Sequence, residues 1–86
     1  SGKTFAPLLN EEISFELATN RNSEFTVEIF DVNGTFINYA INTEPLHWKW
    51  NGKNKNEDIV PFGIYILSFI ANSSEISHKE AVVVIK

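Results

Sequence analysis

His47 and His78 are the two imidazoles of this chain, and a hydrolytic centre would need one of them beside a nucleophile. With no Cys, that nucleophile would have to be a serine or threonine hydroxyl. Neither His stands in a nucleophile motif, and no Gly-x-Ser-x-Gly elbow occurs. Both are expected on polar strand faces, so no catalytic residue is assigned and the chain is read as a non-enzyme. Glu11-Glu12 and Glu57-Asp58 are paired carboxylates. Adjacent residues of an extended chain point to opposite faces, so Glu11 and Glu12 should diverge rather than share a proton. Asp31, Asp58 and nearby Asn carbonyls are oxygen donors of the kind calcium takes. They lack the Asp-x-Asp-x-Asp spacing of a calcium loop, and neither a metal ligand set nor a cofactor is expected. Trp48 and Trp50 share a face of one short strand. Exposed, Trp48 would be a sugar-stacking contact; Trp50 is expected in the core with Trp48 beside it. Lys53-Asn54-Lys55-Asn56 is the one local basic patch, read as a solvated loop tip able to meet an acidic neighbour. The sequons Asn33-Gly34-Thr35 and Asn72-Ser73-Ser74 are read as chance in an Asn-rich chain.

These side chains need a scaffold, and 86 residues allow one small domain, 1–86. A chain this short buries roughly 60 to 65% of its unfolded surface. Its stability is then on the order of 4 to 13 kcal/mol. An apolar fraction of 43% with 21% charge fits a folded chain rather than a disordered one. The net charge of −4 argues against a nucleic-acid surface, which would be basic. No apolar run approaches the ~20 residues of a membrane-spanning helix. The opening Ser1-Gly2-Lys3, with no Met, is read as the start of a fragment of a larger protein, with Ser1-Gly2 as a tag scar.

The dominant hydrophobic period is two, the period of half-buried strands. Ile13, Phe15 and Leu17 share one face; so do Phe25, Val27 and Ile29. Asn33-Gly34 predicts a tight hairpin in which both residues take positive φ. The returning strand, Thr35 to Ile41, should place Ile37, Tyr39 and Ile41 on one face. His47 to Trp50 is a short strand, followed by a polar loop to Asp58. Phe62 to Ala71 is apolar enough to predict a central strand covered on both sides. Ile76 to Lys86 should turn Ala81, Val83 and Ile85 inward, and Thr4 to Leu9 is a short edge strand that tolerates Pro7. Polar turns are expected at 18–23 and 72–75. About seven short strands with turn signals every ~8 to 12 residues predict an all-β antiparallel sandwich.

Trp50-Asn51-Gly52, a polar loop, Val60 and then Gly63-Ile64-Tyr65 stand in an order that resembles the FlgD-type immunoglobulin-like domain of bacteria. Val27-Glu28-Ile29-Phe30-Asp31-Val32-Asn33-Gly34 is similar to that family's Val-x-Ile-Tyr-Asp-x-x-Gly hairpin, with Phe30 in place of the Tyr. Ile13-Ser14-Phe15-Glu16-Leu17 and Lys79-Glu80-Ala81-Val82-Val83-Val84 resemble its opening and closing strands. The family usually carries a Gly in the polar loop; here Glu57 or Asp58 stands there, so either the turn is less tight or its positive-φ position is Asn56. The calcium-type acidic stretch that opens many relatives is absent from Phe5 to Asn10.

The resemblance implies an immunoglobulin-like sandwich of about seven strands with Phe15, Ile29, Trp50, Tyr65 and Leu67 in its core. It also implies a non-catalytic C-terminal accessory module of an exported bacterial protein: a spacer, docking or sorting domain at the cell surface, outside the cell or in the periplasm. Its partner would be a neighbouring domain of the parent protein or another surface protein, with the isolated domain a monomer. A carbohydrate-binding module beside a hydrolase, resting on Trp48, is one alternative. An assembly domain of a flagellar hook cap or surface layer is another.

Overall fold

The computed structural model describes residues 3–17, 25–71 and 76–85. Among the described residues eight strands are formed: β1 (Lys3–Phe5), β2 (Ile13–Glu16), β3 (Phe25–Asp31), β4 (Phe36–Tyr39), β5 (Ile41–Glu44), β6 (His47–Trp50), β7 (Gly63–Ala71) and β8 (Ile76–Val84). One short 3-10 helix spans Pro7–Leu9. Five strands make a sheet in the order β1-β8-β7-β3-β4, and three make a second sheet in the order β2-β6-β5. Neighbours are antiparallel except β1 and β8, which run parallel. The class is all-β, and the two sheets face each other in a sandwich-like arrangement. The turns expected at 18–23 and 72–75 lie outside the described residues, as do Ser1, Gly2 and Lys86.

Aromatic rings fill the space between the sheets. Phe69 of β7 meets Phe15 and Trp48 of the smaller sheet edge to face, at centroid distances of 5.8 and 5.5 Å. Trp50 meets Tyr65 and Phe5 in the same way, at 5.5 and 5.6 Å. This edge-to-face geometry is the preferred one for aromatic pairs. Val27, Ile29, Leu67, Val82 and Val84 close the layer with essentially no exposed surface.

Several details differ from the periodicity reading. Val82 and Val84 are buried, while Ala81 and Ile85 are exposed and Val83 is half-buried, so β8 presents the opposite face from the one expected. A slip of one residue reverses every side chain of a strand, and here both sets are apolar, so alternation does not fix the phase. β7 is central in its sheet but not covered on both sides: Ile64 is exposed, and Phe62 stands outside the strand. The predicted strand from Thr35 to Ile41 is two strands. Ala40 donates its N–H to the Val27 carbonyl at 3.0 Å, and the chain then crosses to the smaller sheet. Ile37 therefore packs against the core, whereas Tyr39 and Ile41 are exposed. The expected edge strand over Thr4 to Leu9 stops at Phe5, since Pro7 opens the 3-10 helix.

The hairpin at Asn33-Gly34 forms with a different turn. Only Gly34 takes positive φ (83°), giving a three-residue loop closed by the Asp31 N–H to Thr35 carbonyl bond at 3.0 Å. One carboxylate oxygen of Asp31 accepts from the N–H groups of Asn33 and Thr35, both at 2.9 Å, which holds the turn.

Candidate functional site

Trp50 closes β6 and drives its indole between the sheets, where it is 1% exposed. Its Nε1–H donates to the Lys53 carbonyl at 3.0 Å, and Asn38 Nδ2 donates to the same oxygen at 3.1 Å. Asn51 Oδ1 accepts from Lys53 N–H, and Gly52, at φ 79°, lies against the Pro7 ring. The loop beyond is tied by Asn54, whose side-chain oxygen accepts from the N–H groups of Asn56 and Asp58. Positive φ falls on Glu57 (68°), not on Asn56. The polar segment is thus an ordered bracket around the Trp50 ring, and Lys55 sits with its Nζ 5.5 Å from the centre of the Phe36 ring.

Tyr65 continues this bracket. Its ring is 5% exposed and its hydroxyl donates to the Pro61 carbonyl at 2.7 Å, pinning the approach to β7. Burial pushes the phenol above its ordinary value of 10.0, and the nearby Asp31 carboxylate adds to the effect. Because the folded value is the higher one, the unfolded chain ionises first. The stabilising contribution is therefore full below about pH 10 and declines as pH rises through the folded value. In alkaline titrations followed by circular dichroism, Tyr65→Phe should lose about 1 kcal/mol at neutral pH, and its stability should fall less than the wild type's above pH 10. Parallel curves for the two proteins would remove the phenol from the alkaline transition.

All five expected core residues, Phe15, Ile29, Trp50, Tyr65 and Leu67, are buried. Trp48 is 3% exposed, with its ring stacked on Phe15 and edge-on to Phe69. It offers no free face to a sugar, which corrects its reading as a ligand contact: the sheet-to-sheet layer needs both tryptophans.

The groups able to do acid–base work are dispersed. Glu11 turns back to accept the Ala6 N–H at 2.7 Å, while Glu12 reaches Lys49 at 3.6 Å, so the adjacent carboxylates do diverge. His47 lies on the outer face of the smaller sheet, over a shallow groove of roughly 360 Å³ lined also by Ser14, Glu16, Thr43 and Glu44. Its Nε2 is 3.8 Å from Glu16, beyond the ~2.6 to 3.2 Å of a proton relay. Among the described residues no hydroxyl is hydrogen-bonded to the His47 ring. His78 does not lie on a polar strand face: it pairs with inward-facing Phe69, its ring 5.3 Å away, and its Nε2 meets Glu80 at 3.1 Å. Among the described residues, no group of three or more His, Cys, Asp or Glu could hold a metal ion. Nor is any described helix long and apolar enough to cross a membrane.

The sequence reading missed the outer face of the five-stranded sheet. Phe30, Phe36 and Tyr39 form an edge-to-face series there, at 5.8 and 5.0 Å between centroids. Ile64, Tyr39 and Val32 are about half or more exposed. The signal was the apolar residues at even positions of β7, which look like core until the facing layer is counted. No family model, curated protein or solved structure matches this chain.

Proposed function

We propose that this chain is a non-catalytic, immunoglobulin-like module of an exported bacterial protein, serving as a stiff spacer and docking domain. The observation that carries the reading is the strand order. β2-β6-β5 corresponds to the B-E-D order of the immunoglobulin fold, and β4-β3-β7-β8 to its C′-C-F-G order. The Tyr65 hydroxyl bond to Pro61, at the entry to the strand equivalent to F, supports it as a tyrosine corner would. The Trp50-Asn51-Gly52 bracket adds the segment on which the FlgD-type resemblance rests. The physical basis of the role is a buried aromatic layer with open outer faces and loops.

The test joins the chain to an exported reporter enzyme. The module should unfold at the same denaturant midpoint alone and fused, and the reporter should keep its activity. Turnover of ester, peptide, phosphate or glycoside substrates by the purified chain would overturn the reading, as would failure to fold apart from a partner domain.

A further inference from the structure

We propose that the outer face of the five-stranded sheet docks a second copy of this chain, face to face about a two-fold axis running along β7. The inference rests on the docking reading above and names the partner. Strand pairing sets the side chains of this face in cross-strand rows. One row runs Lys79, Ser68, Glu28, in the order β8, β7, β3. The next runs Ala81, Ile66, Phe30 in the same order and continues to Phe36 on β4.

Each row is unlike across β7 in a way that a two-fold axis makes complementary. The axis lays β8 of one copy over β3 of the other. Lys79 then faces the partner's Glu28, and because the contact is isologous the pair forms twice. Small Ala81 lies beneath the large Phe30 of the opposing face, also twice. A groove lined by Phe30, Val32, Ile66 and Lys79 already marks the concave side of this surface.

Charge favours a second copy over a partner of either sign. The chain carries −4 in all, yet Lys79 and Glu28 cancel within the face, as do Lys55 and Asp31 at its rim. A neutral, apolar face is where two anionic chains approach without repulsion. Five strands about 4.8 Å apart span roughly 20 Å, and a nine-residue strand at about 3.3 Å per residue runs roughly 30 Å. Because β1 and β4 are only three and four residues long, the face is smaller than that rectangle, on the order of 500 Å² before side-chain relief is added, against the ~800 Å² per partner of a standard interface.

Sedimentation velocity of the full chain from micromolar to millimolar concentration tests this. A reversible monomer–dimer equilibrium is expected. Lys79→Glu and Glu28→Lys should each weaken self-association by roughly tenfold or more, since each sets like charges opposite one another twice. An equimolar mixture of the two variants should dimerise again, because every contact then pairs Glu with Lys. Circular dichroism melts of each variant check the fold. A wild type that stays monomeric throughout overturns the inference without using any variant, and leaves the module reading standing. A dimer that both reversals leave intact, or that mixing does not restore, also overturns it. Substrate turnover would instead defeat the module reading and leave the dimer untouched.

Discussion

Trp50→Ala should leave the chain unfolded in buffer at room temperature. The indole is almost wholly buried, touches Tyr65 and Phe5 edge to face, and is bonded to the Lys53 carbonyl. Removing a core aromatic of this size costs about 3 to 5 kcal/mol through lost transfer energy and the cavity left behind. The chain has only about 4 to 13 kcal/mol to lose. Two further losses compound the first. The Lys53 carbonyl keeps only Asn38 as a side-chain donor, and the loop that wraps the ring loses the object it wraps. Trp50→Phe is the control: it keeps most of the ring and loses the N–H, at about 1 to 3 kcal/mol. Urea titrations followed by far-ultraviolet circular dichroism read both. A Trp50→Ala protein with a cooperative transition near the wild-type midpoint would show that the layer between the sheets does not depend on this ring.

Gly52→Ala should be the second most damaging single change, and far worse than Gly34→Ala. Both glycines hold positive φ, at 79° and 83°, which costs an alanine about 1 to 2 kcal/mol. At Gly34 the added methyl meets nothing within 4 Å. At Gly52 it lands on the Pro7 ring, 2.7 Å from Cβ and nearer still to Cγ. Pro7 cannot step aside cheaply. Its turn is fixed by the Asn10 N–H to Pro7 carbonyl bond at 2.9 Å, by the Leu9 N–H on Ala6, and by Glu11 holding the Ala6 N–H. Overpacking of this kind adds about 1 to 3 kcal/mol. The expected total is about 2 to 5 kcal/mol at Gly52, against about 1 to 2 at Gly34. Equal midpoints for the two variants would mean that the Pro7 contact is not held.

The sequence carried the strands and most of the core, because β2, β3 and β6 alternate apolar with polar residues and so state their own phase. Phe15, Ile29 and Trp50 follow from that alone. Where both faces are apolar the phase is silent. β8 offers Ala81, Val83 and Ile85 or Val82 and Val84, and only pairing with β7 and β1 chooses between them. The switch between sheets at Ala40 was hidden for another reason. No Gly or Pro marks it, and a backbone bond to Val27 makes the corner. Alternation groups Tyr39 with Ile37, but a bulge between Ile29 and Phe30 shifts the pairing with β4 by one residue, so Ile37 packs on the core while Tyr39 is exposed. Alternation places Trp48 beside Trp50, but its burial depends on the facing Phe69, which no local pattern announces.

The parallel pairing of β1 with β8 sets how the domain would respond to tension. Lys3 lies beside Val82 and Phe5 beside Val84, and the ladder extends to the Ile85 N–H on the Phe5 carbonyl at 2.9 Å. The first and last strands therefore point the same way. Tension applied through the two flanking ends draws them along their length in opposite directions, so their cross-strand bonds are strained together in shear rather than peeled one at a time. Gly52 locks Pro7 directly behind this clamp. A link built this way yields abruptly at a threshold force instead of paying out gradually, which suits a segment that holds two bodies apart.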